Sequence, residues 1–253
     1  MYHLTELRYR LLYLLVGYLI TVGIAYYFSE ELLYIISKPL LFKDELLMNN
    51  PLEERRLIYT NITEAFTTQL ILALYIGLYI TFPTILYQVW SFLKPGLYVN
   101  EQRFLKKLMV PCIFFFSIGL ILTFSTLIPA ICKFFIGFET NLEEGAMQIQ
   151  LEAKISEYVS TVLYTMLLIS ILSQYPLLII IFLYLEIINF SWLVKQRKFF
   201  IFFFFILGAM CTPPDILSQI LLAVILSVFY EGLLLVLLLY NNYISSLQQY
   251  YNV

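Results

Sequence analysis

Uncharged apolar runs alternate with short charged segments along the whole chain, and the charges mark where each run begins and ends. Leu11–Phe28 holds 18 residues without a charge, Ala65–Leu93 lies between Glu64 and Lys94, and Leu108–Cys132 lies between Lys107 and Lys133. Tyr158–Leu185 is uncharged between Glu157 and Glu186, Phe199–Pro214 between Lys198 and Asp215, and Ile216–Tyr230 resumes beyond Glu231 as far as Tyr240. About 20 apolar residues in a helix cross a hydrocarbon core of about 30 Å, so each run predicts a transmembrane helix. The predicted spans are about 11–28, 66–93, 108–132, 158–185, 199–214 and 216–240. The fifth run has only 16 residues, and a helix of that length rises about 24 Å. The fifth and sixth spans therefore form a short pair that thins the bilayer or packs tilted against its neighbours. The runs are continuous and do not alternate, which excludes a strand barrel. The fold class expected is all-α: a polytopic membrane protein whose residues 1–253 form a single six-span domain.

Composition closes the alternative of a water-soluble domain. Of 253 residues 61% are hydrophobic and 13% charged, about half the charged share that covers an ordinary soluble surface. The net charge of −2 carries meaning only once divided between the two sides of the membrane. With the N-terminus inside, that side receives Arg8, Arg10, Lys94, Arg103, Lys106, Lys107, Lys195, Arg197 and Lys198, against the acids Glu6, Glu101, Glu186 and Glu231. The opposite side holds 6 basic residues and 13 acids. Basic residues are retained on the inner side, so both termini are expected inside. Pro83, Pro111, Pro129 and Pro176 fall within or at the ends of spans, where they kink a helix and free a carbonyl. Pro39 and Pro51 punctuate the first outer loop, and its Leu32, Leu33, Ile35, Ile36 pattern predicts a short helix lying on the membrane surface.

Catalytic chemistry finds few candidates. The single His3 excludes haem held by paired histidines and a Ser-His site, and the chain has no HExxH and no GxxxxGK[ST] loop. Asp44 and Asp215, the only aspartates, both fall in predicted loops. The spans lack the buried Lys and Arg of a proton-pumping subunit. Cys112, Cys132 and Cys211 are isolated in apolar surroundings, so neither a metal site nor a disulfide framework is indicated. No cofactor, metal or nucleic-acid partner is implied. The first apolar run exceeds signal-peptide length and lacks a small-residue cleavage site, and no Arg/Ser-rich transit segment precedes it.

Three segments carry more information than their composition. The first is His3-Leu4-Thr5-Glu6-Leu7-Arg8-Tyr9-Arg10-Leu11 at the first membrane entry, where Glu6 and Arg10 are i,i+4 partners worth a few tenths of a kcal/mol. The second runs from Phe82-Pro83 through Tyr87-Gln88-Val89-Trp90-Ser91-Phe92-Leu93-Lys94-Pro95-Gly96-Leu97-Tyr98 to Glu101. The third, Thr212-Pro213-Pro214-Asp215-Ile216-Leu217-Ser218-Gln219, joins the two shortest spans. In order and spacing they resemble the TatC family, the multispan core of the twin-arginine protein translocase. Glu64-Ala65-Phe66 and Ser37-Lys38-Pro39-Leu40 fit the same family. The resemblance covers essentially the whole chain and implies six spans with both termini inside.

The resemblance also implies a function without bond chemistry. Such proteins recognise signal peptides carrying paired arginines and, with single-span partners of the TatA and TatB type, pass folded proteins across the membrane on the proton-motive force. Homo-oligomers within a complex are expected. Glu6 and Glu101 are the implied signal-binding carboxylates, suited to the guanidinium fork. Arg8 is expected to order the N-terminal segment. Phe92 and Pro95, with Trp90 and Leu97, are expected to shape the loop presenting Glu101, although core packing is a competing account of Trp90. Met210, Thr212 and Gln219 map to a docking surface for the single-span partner. Where many relatives carry Glu in the fourth span, this chain has Leu172-Ser173-Gln174-Tyr175-Pro176, making Gln174 an intramembrane polar residue of uncertain kinship to that carboxyl. Glu186 matches no family motif and reads as a solvated interface charge. The 22 Phe, 21 Tyr and only 8 Ala point to an AT-rich genome, and with the form of the third motif to a mitochondrially encoded inner-membrane protein; a bacterial inner membrane is the alternative. Two other function classes compete on composition: a secondary transporter, for which inverted repeats and midplane charges are missing, and a structural subunit of a respiratory complex, which leaves the ordered motifs unexplained.

Overall fold

A computed structural model describes residues 2–41, 57–139, 151–212 and 215–251, with side chains from residue 5 to residue 239 of these. Pro51 and the prolines 213 and 214 lie outside the described residues, as does the middle of the first outer loop, 42–56. The helices are α1 (Tyr2–Tyr27), α2 (Ser29–Leu41), α3 (Glu64–Leu93), α4 (Val99–Leu122), α5 (Ile128–Ile136), α6 (Ile155–Leu172), α7 (Tyr175–Tyr184), α8 (Phe190–Lys195), α9 (Arg197–Cys211) and α10 (Ile216–Tyr251). Among the described residues no strand forms, and one isolated bridge joins Ile58 to Lys154. The fold is thus all-α, as the apolar runs require.

Five stretches are long and apolar enough to cross a bilayer: Thr5–Tyr27, Glu64–Gly96, Val99–Ile136, Ile155–Tyr184 and Ile216–Leu239. The fifth apolar run becomes α9, whose 15 residues rise only about 22 Å. Helix bounds depart from the predicted spans at several points, with α1 beginning at Tyr2 and α4 at Val99, each ahead of its apolar run. The run 158–185, read as one span, is two helices broken at Ser173 and Gln174, because Pro176 at the start of α7 supplies no N–H to continue α6. The last helix, expected to be a short span, runs from Ile216 past 240 to Tyr251.

The chain divides into two compact units, Met1–Ser170 and Ile171–Val253. In the first, α1 and α3 approach closely at Gly77, where an added Cβ would stand 2.6 Å from Val22 Cγ2. Hydroxyls join the same crossing: Tyr18 donates to the Leu74 carbonyl (3.1 Å), and Thr21 shares a bond with Thr81 (2.9 Å). Small residues that let backbones meet, with polar groups bridging them, are how helices associate where lipid is as apolar as leucine. The predicted outer helix exists as α2, and it buries Ile36, Ser37 and Leu40; the Ile36 carbonyl accepts the Tyr158 hydroxyl at 2.9 Å. Tyr79 Oη donates to the Leu163 carbonyl (2.7 Å), and Phe82 stacks on Phe116 with centroids 3.6 Å apart.

A buried carboxylate fastens the starts of two spans. Glu64, only 5% exposed, accepts the Thr60 N–H (2.9 Å) and Asn61 N–H (3.3 Å) on one oxygen. Its other oxygen accepts Ser156 Oγ at 2.5 Å. The ion so solvated sits at the first turn of α3, where the helix dipole also favours it. Beside it the segments preceding α3 and α6 pair, Ile58 N–H to Ala153 O (3.1 Å) and Ile155 N–H to Ile58 O (2.9 Å). Between α4 and α5 a single π-turn spans Thr123–Leu127. Pro129 cannot donate to the preceding turn, and the wider turn with the Thr123 and Thr126 hydroxyls, on Gly119 O and Leu122 O, takes up the disturbed carbonyls.

In the second unit an aromatic cluster forms the centre. Phe200 stacks on Tyr230 (centroids 4.8 Å), Phe204 contacts Tyr175 and Tyr230, and Tyr230 donates to the Leu193 carbonyl at 2.9 Å. Arg197 faces Glu231 at 3.7 Å, with both side chains 43% exposed, a pair worth at most about 1 kcal/mol. Helix α7 ends in a Schellman turn: Ile187 N–H reaches Phe182 O (3.0 Å) and Glu186 N–H reaches Leu183 O (3.1 Å). Glu186 takes φ 56° there and points its charge to solvent, consistent with the solvated charge read from sequence.

Gly77→Val drives a branched side chain into Val22, and α1 loses its seat on α3. A loss of about 1–3 kcal/mol is expected, seen as a lower melting temperature in detergent. Val22→Ala in the background of Gly77→Ala restores part of it, and an unchanged melt for Gly77→Val would show that α1 is held elsewhere.

Candidate functional site

Residues at the first turns of α1 and the last turns of α3 enclose an open cavity of about 580 Å³. Its charged members are Glu6 and Arg10, and its amide is Gln88; Thr5 and Ser91 add hydroxyls, and Tyr9, Tyr13 and Tyr87 form aromatic walls. Arg10 Nη2 and Nε both meet Glu6 Oε1, at 2.6 and 3.1 Å, and Nη1 reaches Gln88 Oε1 at 3.2 Å. The pair predicted by the i,i+4 spacing therefore forms. It also acquires a third partner, 78 residues away in sequence, that spacing cannot reveal. An acceptor-only carboxylate and an amide carbonyl converging on one guanidinium make a place suited to planar, multiply donating cations.

Glu101 sits differently. Lys94-Pro95-Gly96 forms a 3₁₀ turn, Leu97 is extended, and α4 starts at Val99. Glu101, in the first turn, accepts the Tyr98 N–H on Oε2 at 2.9 Å, closing one of the open donors of the helix start. Gln102 Nε2 donates to Lys94 O and Leu97 O, each at 2.9 Å, and so fixes the turn. Phe92 is half-buried and Pro95 exposed. Trp90 has its Nε1 buried with no acceptor among the described residues, and Lys94 Nζ lies 5.5 Å from its ring centroid. Arg8, Phe92, Pro95 and Glu101 do not line the Glu6 cavity. Arg8 is exposed; the residue that ties the N-terminal segment to α3 is Arg10, because its position on the helix faces Gln88.

At the other end of the second unit, α9 and α10 meet at Gly208, where an added Cβ would stand 2.9 Å from the Gln219 carbonyl oxygen. Gln219 Nε2 donates to Phe205 O at 3.3 Å. Thr212 is 8% exposed and donates to Gly208 O at 2.9 Å, so its hydroxyl is spent within its own helix end. Met210 is 78% exposed. Asp215, read as a loop residue, is 3% exposed and caps α10: its Oδ2 accepts the Ser218 N–H at 2.8 Å, and Ser218 Oγ returns a bond to Oδ1. An aspartate with serine three residues on is a capping arrangement, which assigns these two members of the third motif to helix initiation. Gln174 is half-buried at the N-cap of α7, where its N–H donates to Ile171 O and its carbonyl accepts from Leu177, each at 3.0 Å. Among the described residues no three His, Cys, Asp or Glu side chains gather as metal ligands would.

The family model described as Sec-independent protein translocase protein (TatC) matches residues 2–224 of this chain. The chain belongs to the TatC family. It is 35% identical over 199 residues to the tatC-like protein ymf16 of Reclinomonas americana, covering 78% of this chain and 71% of that one. It is 33% identical over 198 residues to the Sec-independent protein translocase protein TatC of Rickettsia prowazekii, with 78% and 75% covered. In three dimensions it is similar to the crystal structure of the twin arginine translocase receptor TatC in DDM, with a TM-score of 0.70 at 30% identity, covering 92% of this chain and 98% of that one. The chain is accordingly a multi-pass membrane protein and a TatC-type component of a protein translocase.

For a TatC protein, sequence motifs found the segments but not the division of labour inside them. Arg10, Gln88 and Gln102 all lie in or beside the quoted motifs, and their partners become visible only when α1 meets α3 and the turn before α4 closes. Removing the Asp215 cap should cost about 1 kcal/mol. Asp215→Ala is expected to melt earlier than Asp215→Asn, which keeps one acceptor, and equal melts would deny Asp215 a capping role.

Proposed function

We propose that this TatC protein recognises signal peptides bearing paired arginines on the inner side, through Glu6 and Glu101, and works with TatA- and TatB-type single-span partners. It passes folded proteins across the membrane on the proton-motive force, making and breaking no covalent bond, and assembles in several copies. The observation that carries this reading is the cavity in which Glu6 already holds a guanidinium with help from Gln88. A site that orders one guanidinium has the donor geometry for another. Nine basic residues on the same side against four acids discourage other cationic segments and leave each carboxylate distinct. The partner is proposed to dock along the exposed side of α9 and the start of α10, with Met210 in contact and Gln219 and Thr212 setting the spacing of the helix ends. We place the protein in a mitochondrial inner membrane, a reading supported by its Phe- and Tyr-rich, Ala-poor composition and consonant with its likeness to the ymf16 protein.

Glu6→Gln with Glu101→Gln tests the carboxylates. An amide at 101 still accepts the Tyr98 N–H, so folding is preserved while charge is lost. Charge-assisted bonds contribute about 1.5–3 kcal/mol each, so crosslinking to a twin-arginine signal should fall about a hundredfold or more at normal membrane accumulation. Undiminished crosslinking at physiological salt would remove both residues from the site.

Gln174 offers a second test. If the break between helices is reached by water, Gln174→Glu is expected to be tolerated and Gln174→Leu to impair transport. Loss of the Gln174→Glu protein from the membrane would place the side chain in a dry contact instead.

A further inference from the structure

Arg10 stands where the proposed reading would put an arginine of the substrate. It gives two N–H groups to Glu6 Oε1, at 2.6 and 3.1 Å, and a third to Gln88 Oε1 at 3.2 Å. The Glu6 and Arg10 side chains are 37% and 23% exposed and both line the open cavity, so a solute can reach the pair. We propose that Arg10 is a resident competitor: it occupies Glu6 in the resting protein, and an incoming guanidinium binds by taking its place. This inference rests on the reading of Glu6 as part of the signal site.

The chemistry of the pair gives the competition a consequence. An i,i+4 pair that is partly exposed is weak enough to be exchanged. A guanidinium arrives with the same planar fork it displaces and recovers equivalent bonds. An ammonium is a compact point charge that cannot reproduce the fork. Displacing Arg10 costs every ligand the same, so the resident guanidinium lowers both affinities by one factor, and the lysine ligand, which recovers fewer bonds, is the weaker binder throughout. Gln88 belongs to the device because it keeps a hold on Arg10 from α3. The displaced side chain stays in the cavity wall, where its charge continues to oppose weaker cationic ligands and speeds the return to rest. On this account Arg10 sets the affinity threshold of the site without needing to touch the signal.

The full chain in detergent, with a labelled twin-arginine peptide and its twin-lysine counterpart, tests this by fluorescence polarisation. Arg10→Gln removes the competitor, and the twin-arginine peptide should bind about threefold to tenfold tighter. The twin-lysine peptide should gain by the same factor, because the cost of displacing Arg10 does not depend on the ligand that displaces it. Arg10→Lys, a point charge in the same place, should fall between wild type and Arg10→Gln for both peptides. A gain in affinity cannot come from misfolding, which makes these outcomes specific. If Arg10→Gln binds the twin-arginine peptide equally or more weakly, and Arg10→Lys matches wild type, Arg10 merely positions Glu6 and the inference is overturned. If instead Glu6→Gln binds as wild type does, the reading of the site itself fails, and the inference with it.

Discussion

A backbone carbonyl or amide in a bilayer has no water to bond, and an orphan there costs several kcal/mol, so each must find a partner within the protein. Helices meet most of that demand. Hydroxyls carried into the spans face the same demand and meet it by donating to helix carbonyls. Thr68, Thr123, Thr126, Thr165 and Thr212 each donate to a carbonyl of their own helix. Tyrosines do the same between segments: Tyr18 to Leu74, Tyr79 to Leu163 and Tyr158 to Ile36 in the first unit, Tyr175 to Leu226 and Tyr230 to Leu193 in the second. Tyrosine suits the task because its ring packs as an apolar body while one hydroxyl supplies a single directed bond. The high tyrosine content thus has a structural use, whatever its genomic origin.

Carboxylates obey the same constraint at the ends of helices. Glu64, Glu101 and Asp215 each accept backbone N–H groups at a helix start, where open donors and the dipole favour a negative charge. Glu6 is the exception, since its partner is a side chain. A carboxylate bonded to backbone cannot be given up without opening a helix, whereas one bonded to Arg10 is exchangeable. This difference separates the two implied signal-binding residues: Glu6 is held by a side chain and Glu101 by its own helix. At Glu101 the Tyr98 N–H occupies one carboxylate oxygen, and the proposed recognition would use what it leaves over.

The placement of these groups is what a translocase component requires. Charged recognition belongs at the membrane surface, where carboxylates stay hydrated, while the spans offer lipid and partners an apolar exterior. Phe202, Met210, Ile216 and Leu235 are all more than half exposed, as expected of side chains that face hydrocarbon or another membrane helix. The short α9 crosses α10 tightly at Gly208, where only a glycine leaves room for the facing backbone carbonyl.

By itself the sequence determined the fold class, the positions of the spans, the shortness of the fifth, the division of charge and the family, because all of these follow from long runs of like residues or from contiguous motifs. The i,i+4 pair of Glu6 and Arg10 was legible for the same reason, being fixed by helical periodicity. Tertiary structure alone decided that Arg10 reaches Gln88, that Glu64 joins α3 to α6 through Ser156, that Gly77 and Gly208 are the close crossings, and that Thr212 is buried. The physical reason is common to all of them. A pattern of apolar and polar residues states which face of a helix is buried, but a bond between side chains distant in sequence depends on the crossing of two helices, and that crossing is set by packing which no local window contains.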